Sequence, residues 1–89
     1  MVLIKRLVLD VLKPHQPNNV DFAKAIAEKG NDYRVMFTVQ EVDEKTETVV
    51  IVIEGHDLSY QTVLETINGL GGSLHSVDEV EVISHTEPT

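Results

Sequence analysis

The chain has 89 residues, 42% hydrophobic and 25% charged, which fits one globular domain with a single core and excludes a disordered chain. Fifteen acids against seven bases give a net charge of −8. That excludes a general phosphate-binding surface, and nucleic acid as a partner, because such binding rests on counterion release by Lys and Arg. The absence of cysteine excludes a disulfide scaffold and a thiolate zinc site.

Residues 2–12 (VLIKRLVLDVL) are rich in Val, Leu and Ile and predict a first strand. Pro14 and Pro17 stop it, since proline removes a donor and fixes φ. A helix is predicted over 18–29, with Asn18 as N-cap and Asp21 near the positive end of the dipole. Val20, Ala23, Ile26 and Ala27 are its expected buried stripe, and Gly30 its left-handed cap. Residues 33–42 alternate as a second strand, with Val35, Phe37 and Val39 on one face. Residues 43–47 form a polar hairpin turn. Residues 48–54 are a third strand with five consecutive β-branched apolar residues, Val49 to Ile53. A second helix is predicted over 60–69, capped by Ser59, with Leu58 and Val63 at the two hydrophobic-staple positions. Val63, Leu64, Ile67 and Leu70 form its apolar face. Gly71-Gly72 ends it. Residues 73–83 are a fourth strand, with a bulge or bend expected at Ser76 and Asp78.

The order βαββαβ, with one short hairpin and two helical crossovers, predicts an α+β, ferredoxin-like sandwich. Its four antiparallel strands lie in the order 4-1-3-2, with both helices on one face. One domain is expected over 1–84, with 85–89 as a flexible C-terminal tail. The open face would carry Val8, Asp10, Met36, Thr38, Gln40, Val50, Val52 and Glu54. Four large apolar residues there, Val8, Met36, Val50 and Val52, predict self-association into a homo-oligomer, a ring among the options.

Four blocks carry a resemblance. Asp10-Val11-Leu12-Lys13-Pro14-His15-x-Pro17 closes the first strand, and Glu41-x-Asp43-x-x-Thr46-Glu47 forms the hairpin. Glu54-Gly55-x-Asp57-Leu58 leaves the third strand, and Gly71-Gly72-Ser73-x-His75-Ser76-Val77-Asp78-Glu79-Val80 opens the fourth. Together they resemble the archaeal domain-of-unknown-function 211 family of small ferredoxin-like proteins. The resemblance implies a ferredoxin-like fold and homo-oligomers, and no established activity.

The charge divides at mid-chain. Residues 1–45 hold all seven bases and seven acids, whereas 46–89 hold eight acids and no base. Three of the four histidines, His56, His75 and His85, lie in that acidic half, where mild acid would offset part of the charge. Topology gathers Asp10, His15, Asp43, Glu47 and His75 at one end of the sheet, and Glu54, His56, Asp57 and His85 at the other. In the first set a carboxylate beside an imidazole can fix a tautomer, hold a divalent metal or move a proton. The plainer alternative is a cross-strand Asp10–His75 hydrogen bond that orders the sheet. Asp78-Glu79-Val80-Glu81 is the densest acidic run, a candidate Ca²⁺ or Mg²⁺ site only if a neighbouring subunit completes it, since alternate strand residues diverge. Charges on an edge strand also prevent unwanted pairing.

Asp10, His15, His75, Asp78 and Glu79 are therefore the candidate ligand or metal residues. No Ser-His-Asp or nucleophile-elbow pattern is visible. The reading is a non-enzymatic binding or regulatory module with a cation or small ligand between subunits. The alternatives are a small enzyme using Asp10 and His75 as an acid–base pair, or a structural oligomer. The apolar run at 2–12 is too short and too charged to span a membrane or act as a signal peptide. No membrane partner and a cytoplasmic location are expected.

Overall fold

A computed structural model describes residues 1–86. The order is β1 (Val2–Pro14), α1 (Asn19–Ala27), β2 (Arg34–Val42), β3 (Thr46–Glu54), α2 (Tyr60–Gly69) and β4 (Ser73–Ser84). The strands form one antiparallel sheet in the order β2-β3-β1-β4, which is the expected order read from the other edge. Element order and strand order are consistent with the ferredoxin-like arrangement. Among the described residues no helix is long and apolar enough to cross a membrane.

Alternation decides which side of the sheet is buried. Leu7, Leu9 and Val11 of β1 sit opposite Ile53, Ile51 and Val49 of β3, and all six are buried. Phe22 and Ile26 of α1, with Val63 and Ile67 of α2, join them in one core cluster. Each helix contributes a residue pair at i and i+4, the spacing that aligns side chains on one face. The opposite sheet face carries Val8, Asp10, Met36, Thr38, Val50 and Val52, and no helix of the described chain packs on it.

Several local expectations need correction. Val20 is 63% exposed, and Phe22 is the buried residue of the first turn. Two residues of α-helix rotate a side chain by about 200°, so Val20 and Phe22 cannot share a face. The α1 C-cap is Glu28 in the right-handed region, and Gly30 has no positive φ. Gly30 instead lies against Tyr33, where a Cβ would overlap the ring. Tyr33 is accordingly outside β2, and its hydroxyl accepts the Ser59 N–H at 2.8 Å. The left-handed glycine is Gly71, φ 89°, where the Gly71 and Gly72 N–H groups close α2 on the carbonyls of Asn68 and Ile67. Ser59 caps α2 as expected, accepting from the Thr62 N–H at 3.2 Å.

The sheet is less regular than simple alternation predicts. Gln40 is the extra residue of a β2 irregularity, so Glu41 and not Gln40 stands opposite Thr48. In β4 the register steps from Glu79 to Val77 and from Ser76 to Leu74, leaving Asp78 and His75 as extra residues. The bulge expected near Ser76 and Asp78 is therefore present, with a second at His75. Pro14 does not stop β1 early: Lys13 and Pro14 still pair with Glu47 and Thr46. His85 also departs from the expected free tail. Its backbone is tied to Met1 by hydrogen bonds in both directions, at 2.8 and 3.1 Å. Thr86 is exposed, and residues 87–89 of that expected tail lie outside the described residues.

Candidate functional site

The set expected at one end of the sheet divides in two. Asp10 and Thr48 point to the open face, because they alternate with the buried Val11 and Val49. Lys13 and Glu47 point to the helix side by the same parity. Sequence order shows that these residues reach the same end. Only parity shows that they lie on opposite sides of the sheet.

On the open face Asp10, Leu12, Thr48 and His75 line a recess of about 270 Å³. Register builds it: Asp10 faces Val50 and Ser76 on its two neighbours, and Leu12 faces Thr48 and Ser73. His75 comes from the bulge between these rows. A bulge re-aims a side chain that a regular strand would fix, which brings this imidazole to the rim. Asp10 Oδ1 is buried without a hydrogen-bond partner. Among the described residues no hydrogen bond or ion pair joins Asp10 to His75, contrary to the cross-strand bond expected. An unpaired buried acceptor costs about 1–3 kcal/mol, and none of the described residues supplies this one a donor.

On the helix side Glu47 is the hub of a second cluster. Its side chain is 12% exposed and accepts from His15 Nδ1 at 2.8 Å. His15 Nε2 reaches the Glu44 carbonyl at 3.0 Å. Both ring nitrogens face acceptors, so the geometry suits the doubly protonated imidazolium. The Glu47 carboxylate, with help from the Glu44 carbonyl, raises the His15 pKa above its usual 6.5. His15 in turn holds Glu47 below its usual 4.5. Lys13 is fully buried, its Nζ 3.8 Å from Glu47 Oε1 and 5.6 Å from the centre of the Phe22 ring. Among the described residues Lys13 Nζ has no hydrogen-bond partner, and Asn19 Oδ1 is likewise unpaired. This cluster ties the β1–α1 loop to the β2–β3 hairpin. The sequence reading missed the burial of Lys13, although extending the series Leu7, Leu9, Val11 by one step predicts it.

The remaining candidates are dispersed. Glu79 receives Arg6 Nε at 2.8 Å, and Glu54 receives Arg6 Nη1 at 2.5 Å. One guanidinium thus links β3, β1 and β4 across the open face. Asp78 accepts from Ser76 Oγ at 2.7 Å. The acidic run is therefore partly occupied within the subunit. At the other end the expected set also fails to converge: Lys5 Nζ donates to His56 Nδ1 at 3.0 Å, and the His56 N–H donates to Asp32 at 3.0 Å. Among the described residues no three His, Asp or Glu side chains stand together as a metal site. A larger hollow of about 380 Å³ lies between α1 and α2, lined by Glu28, Lys29, Thr62 and Glu65 among others. Neither helix buries an unpaired polar atom toward it from these residues.

A βαββαβ domain with a polar recess on its uncovered sheet face is thus the class defined by fold and site. Residues 5–86 match the domain-of-unknown-function 211 (DUF211) family, described as "Uncharacterized ArCR", and the chain belongs to that family. It is similar to an uncharacterized protein of Methanocaldococcus jannaschii, with 46% identity over 77 residues, 86% of this chain and 79% of that protein.

Proposed function

We propose that the protein is a cytoplasmic, homo-oligomeric, non-enzymatic binding module whose ligand site is the open-face recess. The observation that carries this reading is Asp10: among the described residues it is an acidic side chain with a buried, unpaired oxygen, lining a recess on a sheet face that no helix covers. Such a group is costly in an isolated domain and useful when a ligand supplies the missing donor. A second copy would shield the recess and cover the apolar strip of Val8, Met36, Val50 and Val52. Val8 stands opposite Val52 in β1–β3, and Met36 opposite Val52 in β2–β3, so the strip is continuous across three strands. The acidic β4 residues Asp78 and Glu79 would lie at the rim of that interface, where a divalent cation, Ca²⁺ or Mg²⁺, could be shared with a neighbouring subunit's oxygens.

Native mass spectrometry tests the proposal. The wild type is expected at a multiple of the 9.9 kDa protomer. Val50→Glu, which places a charge on β3 beside Val52 at the edge of the strip, is expected at the protomer mass. A wild type that remains a protomer at high concentration, or a Val50→Glu variant with unchanged assembly, overturns the open-face interface.

A further inference from the structure

We infer that the recess recognises a small primary ammonium ion carrying a short apolar chain. This rests on the recess being a binding site and names the chemical class that fits it. The recess holds one carboxylate, one hydroxyl and one imidazole above a leucine side chain. A carboxylate accepts only, a hydroxyl oxygen can accept, and a neutral imidazole offers one acceptor nitrogen. Three acceptors match the three N–H donors of an ammonium group. Leu12, 42% exposed, supplies an apolar surface for the attached chain.

Charge narrows the choice further. Asp10 takes part in none of the ion pairs of the described residues, so its charge awaits a cation. The base nearest to it along the open face of β1, Arg6, is already held by Glu54 and Glu79. Asp78 and Glu81 add negative charge along the neighbouring strand. An anionic ligand would meet this field unfavourably. A divalent metal fits less well than a monocation. Ca²⁺ takes six to eight oxygens and Mg²⁺ near-octahedral coordination, whereas this recess within one subunit offers a single carboxylate. Among the described residues no third acid or imidazole completes a set there. One formal negative charge is balanced by one ammonium, with the volume left over for a chain of a few carbons.

The test is a titration followed by amide NMR shifts at constant ionic strength, using n-butylammonium, tetramethylammonium, butyrate and Mg²⁺ as probes. Butylammonium is expected to move the Asp10, Thr48 and His75 amides saturably. Tetramethylammonium, which has no N–H donor, and butyrate are expected to leave them unmoved. Asp10→Asn and Thr48→Val are expected to weaken butylammonium binding at least tenfold. Their dispersed amide spectra show that each variant remains folded. Equal binding of butylammonium by wild type and both variants overturns the inference. Saturable shifts with butyrate or Mg²⁺ but not with butylammonium also overturn it, while leaving the recess as a binding site. Failure of all four probes to move these amides overturns both the inference and the reading of the recess.

Discussion

Replacing Asp10 by valine is predicted to stabilise the unliganded protein while abolishing its ligand site. Asp10 lies on β1 between Val8 and Leu12, opposite Val50 on β3. Its Oδ1 is buried and unpaired. Removing such an acceptor recovers about 1–3 kcal/mol of desolvation cost. A β-branched apolar side chain at this position also extends the Val8–Val52 and Val50 surface and suits the strand. For a domain of this size about 1 kcal/mol shifts the melting temperature by ~4–8 °C, so a gain of about 1–3 kcal/mol is expected to read as a rise of about 4–24 °C. Thermal and urea unfolding, both at one fixed protomer concentration, measure it, with the urea m-value unchanged. A drop in melting temperature of more than ~3 °C would refute the reasoning, because a loss of that size means Asp10 already has a stabilising partner in the folded chain. A stabilising change that removes binding is the signature of a residue kept for function.

Two further outcomes follow from the core and the hub at Glu47. Phe22→Ala is expected to cost about 3–5 kcal/mol in urea unfolding, since the ring is fully buried against Phe37 at 5.7 Å between centroids. Val20→Ser, on the exposed side of the same turn, is expected to stay within about 0.5 kcal/mol, and the reverse ranking would contradict the helix orientation. The pH profile should carry the His15–Glu47 pair. Because the folded His15 pKa is raised, its contribution is full below 6.5 and is lost as pH rises through the higher folded value. Because the folded Glu47 pKa is lowered, its contribution is full above 4.5 and is lost as pH falls through the lower folded value. The pair therefore stabilises most between about 4.5 and 6.5. Melting temperatures across pH 5 to 8 should fall on the alkaline side in wild type and flatten there in His15→Gln. Parallel profiles would remove the pair from the account.

The parts of the fold that were legible in the sequence are those set by local chemistry. Ser59 caps α2, Leu58 and Val63 are both buried beside that cap, and Gly71 takes the left-handed conformation that only glycine adopts without strain. The βαββαβ order followed from long apolar runs separated by turn residues. Face assignments were less legible, since they depend on parity, and one extra residue inverts parity. The shifts at Gln40, His75 and Asp78 leave no clear trace in residue type at those positions. Lys13 shows a different limit. A charged side chain ordinarily favours solvent, yet its place in the alternating series of β1 carries it under Phe22. The candidate site was legible only in its placement: Asp10 and His75 were expected together on the open face, and both line the recess there. Thr48 was unremarkable until its register with Leu12 was known, and the absence of a partner for Asp10 is a property of three dimensions alone.

A crystal structure of the protein grown with saturating butylammonium decides whether the open-face recess holds an amine. An ammonium nitrogen is expected within hydrogen-bond distance of Asp10 and Thr48, with a second copy seated over Val50 and Val52. An empty recess at saturating amine, with the open sheet face bare in every copy, would contradict that expectation.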